Sequence, residues 1–96
     1  MTDFSQSLEL SVVAPMYNEE GNIAAFVGAV DKVVATLGVS FEIILVDDGS
    51  SDGTWSQIVE QTKHFPALRG ARLARNFGHQ GALMAGLHEA RGKAVV

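Results

Sequence analysis

The sequence predicts an α/β protein with three α/β/α layers around a mostly parallel sheet. Short runs of aliphatic and β-branched residues alternate three times with longer stretches whose apolar residues recur at helical spacing. One run, Phe41 to Val46, is almost continuously apolar, the pattern of a strand covered on both faces. Strand–helix–strand order repeated in this way implies right-handed crossovers between parallel strands.

The elements follow in order. Residues 8–14, LELSVVA, form the first strand, stopped by Pro15. From Asn22 the apolar positions Ile23, Phe26, Val27, Val30, Val34 and Leu37 mark a helix ended by Gly38. Residues 41–46, FEIILV, form the second strand. Asp52 is placed to cap a second helix that buries Trp55, Ile58, Val59 and Thr62 and stops before Pro66. Residues 67–74, ALRGARLA, give a weaker third strand, RNFGHQ a loop, and Leu83, Met84, Leu87 and Ala90 the buried face of a third helix closing near Gly92. KAVV begins a fourth strand.

A chain of 96 residues holds one domain with a modest core. At 47% hydrophobic and 19% charged residues it is too apolar for disorder. The formal net charge of −4 argues against general binding to nucleic acid or an anionic membrane. With no cysteine, disulfides, thiolate metal sites and cysteine nucleophiles are excluded. The three histidines show no tight metal-ligand spacing. No stretch approaches the roughly 20 apolar residues that span a bilayer, and the opening MTDFSQS lacks the charge and apolar run of a signal peptide.

In a parallel α/β sheet, ligands bind beyond the carboxyl ends of the strands. The loops expected there are 15–22, 47–54 and 75–81, all polar and glycine-containing, whereas the turns at the other end are plain. In PMYNEEGN, Pro15 fixes the strand exit, Tyr17 offers a flat ring and Glu19 an acceptor, while Glu20 reads as an acid complementing a helix dipole. In VDDGSSDGT, Asp47 and Asp48 repel each other, and a turn needs only one such residue, so at least one carboxylate is expected to meet a ligand, such as a base imide or ribose hydroxyls. Arg75 stands where the third strand meets its loop and could hold a diphosphate or an anionic acceptor; Arg69 and Arg72 read as solvated surface. His79 reads as a solvated or structural loop residue. There is no Walker-type phosphate loop and no Gly-x-Gly-x-x-Gly after the first strand.

Read together, SVVAPMYNEEGNI, EIILVDDGSSDGT and RNFGHQGALMAGLHEARG resemble successive blocks of the inverting family 2 glycosyltransferases, at their nucleotide-binding N-terminal half. The resemblance covers residues 10–96. Its third block is similar to the polyprenyl-phosphate branch, the dolichyl- and undecaprenyl-phosphate sugar transferases. It implies a glycosyltransferase A-type, Rossmann-like partial domain over residues 1–96, the N-terminal part of a longer parent enzyme. It also implies a nucleotide pocket lined by Pro15, Tyr17 and Glu19, with Val46 and Asp48 on the base and Asp47 in support. The donor would be a UDP- or GDP-linked sugar, the acceptor a polyprenyl phosphate. A divalent metal, magnesium or manganese, would be held by an Asp-x-Asp motif expected just past Val96, so no metal ligand is expected in this chain. Without its later segments the chain is expected to be inactive alone, and to self-associate through an open sheet edge. The implied location is the cytoplasm, or the cytoplasmic face of a membrane by way of segments outside these residues.

Two other classes stay open. A signalling receiver domain also gathers carboxylates at strand ends, but its acidic pair follows the first strand, whereas Asp47 and Asp48 follow the second. A non-catalytic nucleotide-binding or assembly module shares every feature named so far.

Overall fold

The computed structural model describes residues 8–96, so the expectation for MTDFSQS lies outside the described residues. Among the described residues four strands and three helices alternate: β1 Leu10–Met16, α1 Ile23–Ala35, β2 Phe41–Asp47, α2 Thr54–Thr62, β3 Leu68–Arg72, α3 His79–Glu89 and β4 Ala94–Val95. All pairings are parallel and the strand order is β3-β2-β1-β4. The chain therefore steps outward from β1 through β2 to β3, then returns to the other side of β1. The order reverses beside β1, where such sheets open a crevice.

Helices α1 and α2 cover one face of the sheet and α3 the other, because each crossover packs back in the right-handed sense. The α1/α2 layer buries Met16, Ile23, Val27, Ile43, Leu45, Ile58 and Leu68. The α3 layer buries Val13, Ile44, Val46 and Ala82. Alternate residues of β2 feed the two layers, which is why that strand is apolar almost throughout.

Three expectations need adjusting. First, β1 does not stop at Ala14 but runs through Pro15 to Met16. Val13 N–H donates to Val96 on the β4 side, whereas Met16 C=O accepts from Asp48 N–H on the β2 side. By alternation, the Pro15 nitrogen faces the β4 side, beyond the pairing of β1 with Ala94 and Val95, and costs no ladder bond. Second, α3 does not bury Met84 or Leu87, which are 64% and 41% exposed. Its inward face is Ala82 and Gly86, with Leu83, Ala85 and Ala90 alongside. A Cβ at Gly86 would lie 2.3 Å from Val13 Cγ1 and 3.0 Å from Val46 Cγ2, so this helix approaches the sheet too closely for large side chains. Third, Val59 of α2 is exposed; Thr54 and Ile58 are the buried positions of that helix.

At the amino ends of the strands, Glu42 is buried and accepts Ser11 Oγ–H at 2.7 Å, Arg91 N–H at 2.7 Å and Arg69 Nε–H at 2.9 Å. Arg69 is therefore not simply solvated surface: it crosses from β3 to pair with a buried carboxylate, and also reaches the Glu89 carbonyl. Gly92 N–H donates to Ser11 Oγ. This network ties β1, β2 and β3 to the turn that launches β4. Burial pushes the Glu42 carboxyl up, and the hydrogen bonds from Ser11, Arg91 and Arg69 outweigh it, leaving the group below its ordinary value.

Candidate nucleotide site

The three loops predicted at the carboxyl edge do meet there. The β1–α1 and β2–α2 loops are laced by reciprocal hydrogen bonds. Asn18 N–H donates to Ser50 Oγ at 2.9 Å, and Ser51 N–H donates to Asn18 Oδ1 at 2.9 Å. Glu19 N–H donates to Thr54 Oγ1 at 2.8 Å, and Glu20 N–H to Asp52 Oδ2 at 3.3 Å. Gly53 N–H donates back to Glu20 Oε2 at 3.1 Å. Asn18 takes a positive φ of 52° to make these contacts, a conformation asparagine tolerates better than most residues.

This lacing reassigns two residues. Glu20 does complement a helix start, but that of α2 across the loop pair, not that of its own helix. Asp52 stands one position before the cap residue Gly53, and its Oδ1 accepts both the Thr54 N–H and the Thr54 hydroxyl. The Thr54 hydroxyl, with the Thr54 and Glu20 N–H groups, holds the Asp52 carboxyl below its ordinary value.

The adjacent acids diverge. Asp47 turns inward and is fully buried; its Oδ1 accepts Ser50 N–H at 3.0 Å, its Oδ2 has no hydrogen-bond partner among the described residues, and Arg72 Nε lies 3.8 Å away. The Arg72 guanidinium rests over the Trp55 ring, 5.8 Å from its centroid. Asp48 faces the other way, towards α3, and its Oδ1 accepts Phe77 N–H at 2.8 Å. Directly after them, Gly49 at φ 71° passes so near the third loop that a Cβ would sit 2.3 Å from the Arg75 carbonyl carbon. Only glycine fits both that conformation and that approach.

Above these loops opens a cleft of about 550 Å³, lined by Pro15, Met16, Tyr17, Glu19, Asn22, Phe26, Asp48, Asn76, Gly78 and His79. That volume falls in the range of small-molecule sites. Four of the predicted residues, Pro15, Tyr17, Glu19 and Asp48, are brought together on its wall. Val46 is not on it: its side chain is fully buried beneath α3, leaving only backbone for a ligand. Nor is Arg75, whose guanidinium lies outside, 4.4 Å above the Phe77 ring. Asn22, Phe26, Asn76, Gly78 and His79 are lining residues that sequence reasoning did not single out for the pocket. Asn22 donates to Glu19 Oε2 at 2.8 Å and Asn76 accepts Gly78 N–H at 2.7 Å, local bonds that leave no periodic signal in a sequence.

A parallel sheet whose strand order reverses beside a polar cleft, with a carboxylate at a strand end, defines an α/β domain with a ligand crevice at the carboxyl edge of its strands. Residues 11–96 match the family described as Glycosyl transferase family 2, and the chain belongs to that family. It is 42% identical over 94 residues to the dodecaprenyl-phosphate galacturonate synthase of Rhizobium johnstonii, covering 94% of this chain and 27% of that protein. It is 40% identical over 92 residues to the undecaprenyl-phosphate 4-deoxy-4-formamido-L-arabinose transferase of Aeromonas hydrophila, covering 91% of this chain and 27% of that protein. Among solved structures, the Pyrobaculum calidifontis mannosyltransferase PcManGT in complex with GDP-Man and Mn2+ superposes with a TM-score of 0.71 at 26% identity, over 88% of this chain and 25% of that one. S. aureus TarS 1-349 in complex with UDP superposes at 0.73 and 29% identity, over 93% of this chain and 27% of that one. The fold is that of the glycosyltransferase A-type enzymes. The chain spans about a quarter of the length of these relatives.

Proposed function

We propose that the cleft is the base-and-ribose half of a donor site for a nucleotide-diphosphate sugar, in an enzyme that transfers the sugar to a polyprenyl phosphate with inversion. The observation that carries this reading is Asp48 on the cleft wall, with Oδ1 anchored by Phe77 N–H and Oδ2 making no hydrogen bond among the described residues. A carboxylate only accepts hydrogen bonds. Uracil N3–H and guanine N1–H are donors at the corresponding ring edge, whereas cytosine N3 and adenine N1 are acceptors. Asp48 thus suits UDP- or GDP-linked donors and disfavours the other two bases. Tyr17, 47% exposed at the rim, offers a ring face for the base. Asn22 holds one Glu19 oxygen and so orients the other, which can accept ribose hydroxyls. Asp47 keeps the strand end in register from below and touches nothing in the cleft.

Transfer itself breaks the bond from the anomeric carbon to the diphosphate, whose oxygen leaves with the electron pair, as an acceptor oxygen attacks from the opposite face. A phosphate acceptor carries charge near neutrality and depends less on a general base than a sugar hydroxyl does. Among the described residues, no group of three His, Asp or Glu side chains is placed to hold a metal. The described residues do not fit a divalent ion. No helix among the described residues is long and apolar enough to cross a membrane, and we place any membrane attachment in other segments of the parent enzyme, at the cytoplasmic face.

Titrating the chain with UDP, GDP, CDP and ADP, with and without manganese, tests the donor reading. Binding of UDP or GDP that is lost in Asp48→Asn supports it; equal binding of all four nucleotides overturns it. Label transfer by the longer enzyme to a polyprenyl phosphate, and not to free sugars, tests the acceptor. A purely structural or assembly role predicts no nucleotide binding at all.

A further inference from the structure

We infer that Glu42 is a positioning residue for the cleft, acting through α3 from the opposite edge of the sheet, whatever ligand the cleft takes. Two buried carboxylates flank the same strand: Glu42 near the start of β2 and Asp48 just past its end, each 3% exposed. Each holds one end of α3. Asp48 accepts Phe77 N–H, two residues before the helix begins at His79. Glu42 Oε2 accepts Arg91 N–H, two residues after the helix ends at Glu89. Glu42 Oε1 accepts from Arg69, whose Nη2–H donates to the Glu89 carbonyl at 2.7 Å. A cation on a terminal carbonyl also complements the negative end of the helix. The 11 residues of α3 carry this hold about 16 Å, from one edge of the sheet to the other.

The middle of α3 gives little lengthwise grip. Its buried positions, Ala82 and Gly86, let the helix lie close to Val13 and Val46, but they lack large side chains to lock into grooves on the sheet. Leu83 packs alongside only partly buried, and Met84 and Leu87 point outward. Position along the axis therefore rests on the two polar ends. At the Glu42 end the seat fits closely. Ser11 lies beside Glu42 in the β1–β2 register, fully buried, donating to Glu42 Oε2 and accepting Gly92 N–H at 2.8 Å. A Cβ at Gly92 would lie 2.6 Å from Ser11 N and 2.7 Å from Ser11 Oγ, so only glycine passes there. The same turn launches β4, whose side chains are exposed and bury nothing that would hold the strand. Backbone bonds to β1 and this polar seat keep β4 beside the crevice. At the far end of α3, Gly78 and His79 line the cleft and Phe77 N–H anchors the Asp48 carboxylate. A shift of the helix along its axis would move that wall and that anchor together, although Glu42 is not among the residues lining the cleft.

Backbone amide signals and amide exchange of the isotope-labelled chain test this. Ser11→Ala adds no bulk; it strands Gly92 N–H and removes one donor from Glu42. It is expected to shift the amide signals of residues 76–80, at the other edge of the sheet. Exchange at the Phe77 and Val96 amides should rise about tenfold relative to the amides of β2. Glu42→Gln keeps an acceptor for Ser11 and Arg91 but gives up the charge facing Arg69, and should give a smaller response of the same pattern. Arg69→Gln, at a side chain 33% exposed, frees the Glu89 carbonyl without opening the core, and decides the matter if Ser11→Ala does not fold. Changes confined to the surroundings of residues 11, 42 and 89–96, with 76–80 unmoved, would overturn the inference and leave a local turn anchor. So would a uniform rise in exchange across β1, β2 and β3, which is what a loss of overall stability alone produces. UDP and GDP titrations of the same samples keep this apart from the donor reading. A chain that binds neither nucleotide counts against that reading, and the amide signals still decide the role of Glu42.

Discussion

Asp48 accepts the backbone N–H of Phe77 on Oδ1 at 2.8 Å, across 29 residues of sequence. One carboxylate oxygen thus fastens the third loop to the end of β2 while the other makes no hydrogen bond among the described residues. The residue is nearly fully buried yet lines the cleft, so its role in the fold and the role proposed for it in binding can be separated by substitution.

Asp48→Asn retains a carbonyl acceptor for Phe77 but adds a donor and removes the charge. The melting temperature is expected to stay close to that of the parent chain, while UDP and GDP affinity falls about tenfold or more by isothermal titration. Asp48→Ala also strands the Phe77 N–H and should lower stability by about 1–3 kcal/mol. A nucleotide affinity unchanged in Asp48→Asn would remove this residue from the donor site.

Thr54 is fully buried and serves two loops, donating to Asp52 and accepting from Glu19 N–H. Thr54→Val keeps the shape and deletes both bonds. It is expected to cost about 1–3 kcal/mol, read as a lower urea midpoint with an unchanged slope. Because the lacing also sets the position of Tyr17 and Glu19, nucleotide affinity should fall with it.

Glu42 sits below its ordinary value of 4.5 in the folded chain, its hydrogen bonds outweighing the effect of burial. A depressed carboxyl contributes stability that is fully present above the unfolded value and is lost as pH falls through the folded one. Thermal melts should therefore show wild-type stability declining below about pH 4.5. Glu42→Gln should start lower at neutral pH and show a shallower acid decline. Parallel curves for the two proteins would show that the Arg69 pair contributes nothing to acid sensitivity.

Among the described residues, strand β4 pairs with β1 on one side only, Val96 is 76% exposed, and an apolar groove including Leu10, Phe26, Val30 and Val33 lies beside it. An open strand edge next to apolar surface is a template for a second copy. Sedimentation velocity over a range of concentrations is expected to show reversible association, reduced by Val95→Lys. A monomer at every concentration would refute it.

Much of this protein is written in local pattern. The alternation of periods, the apolar run of β2 and the polar loops at one edge follow from side-chain periodicity and turn chemistry, which act over a few residues, and they set Pro15, Tyr17, Glu19 and Asp48 at the edge where the cleft opens. Small residues carry no such signal. The burial of Ala82 and Gly86, with Met84 and Leu87 left outward, depends on how near α3 lies to Val13 and Val46, a distance set by the whole sheet. The same holds for charge. Asp47 and Asp48 are neighbours in sequence with opposite fates, because successive strand residues point to opposite sides and different elements wait there: Ser50 and Arg72 for one, Phe77 for the other. Arg69 looked like surface until β3 was paired with β2, which put it beside Glu42. Composition and spacing named the edge and its chemistry; long-range packing chose which carboxylate faces the cleft, which arginine stays unpaired, and which face of α3 is left to the solvent.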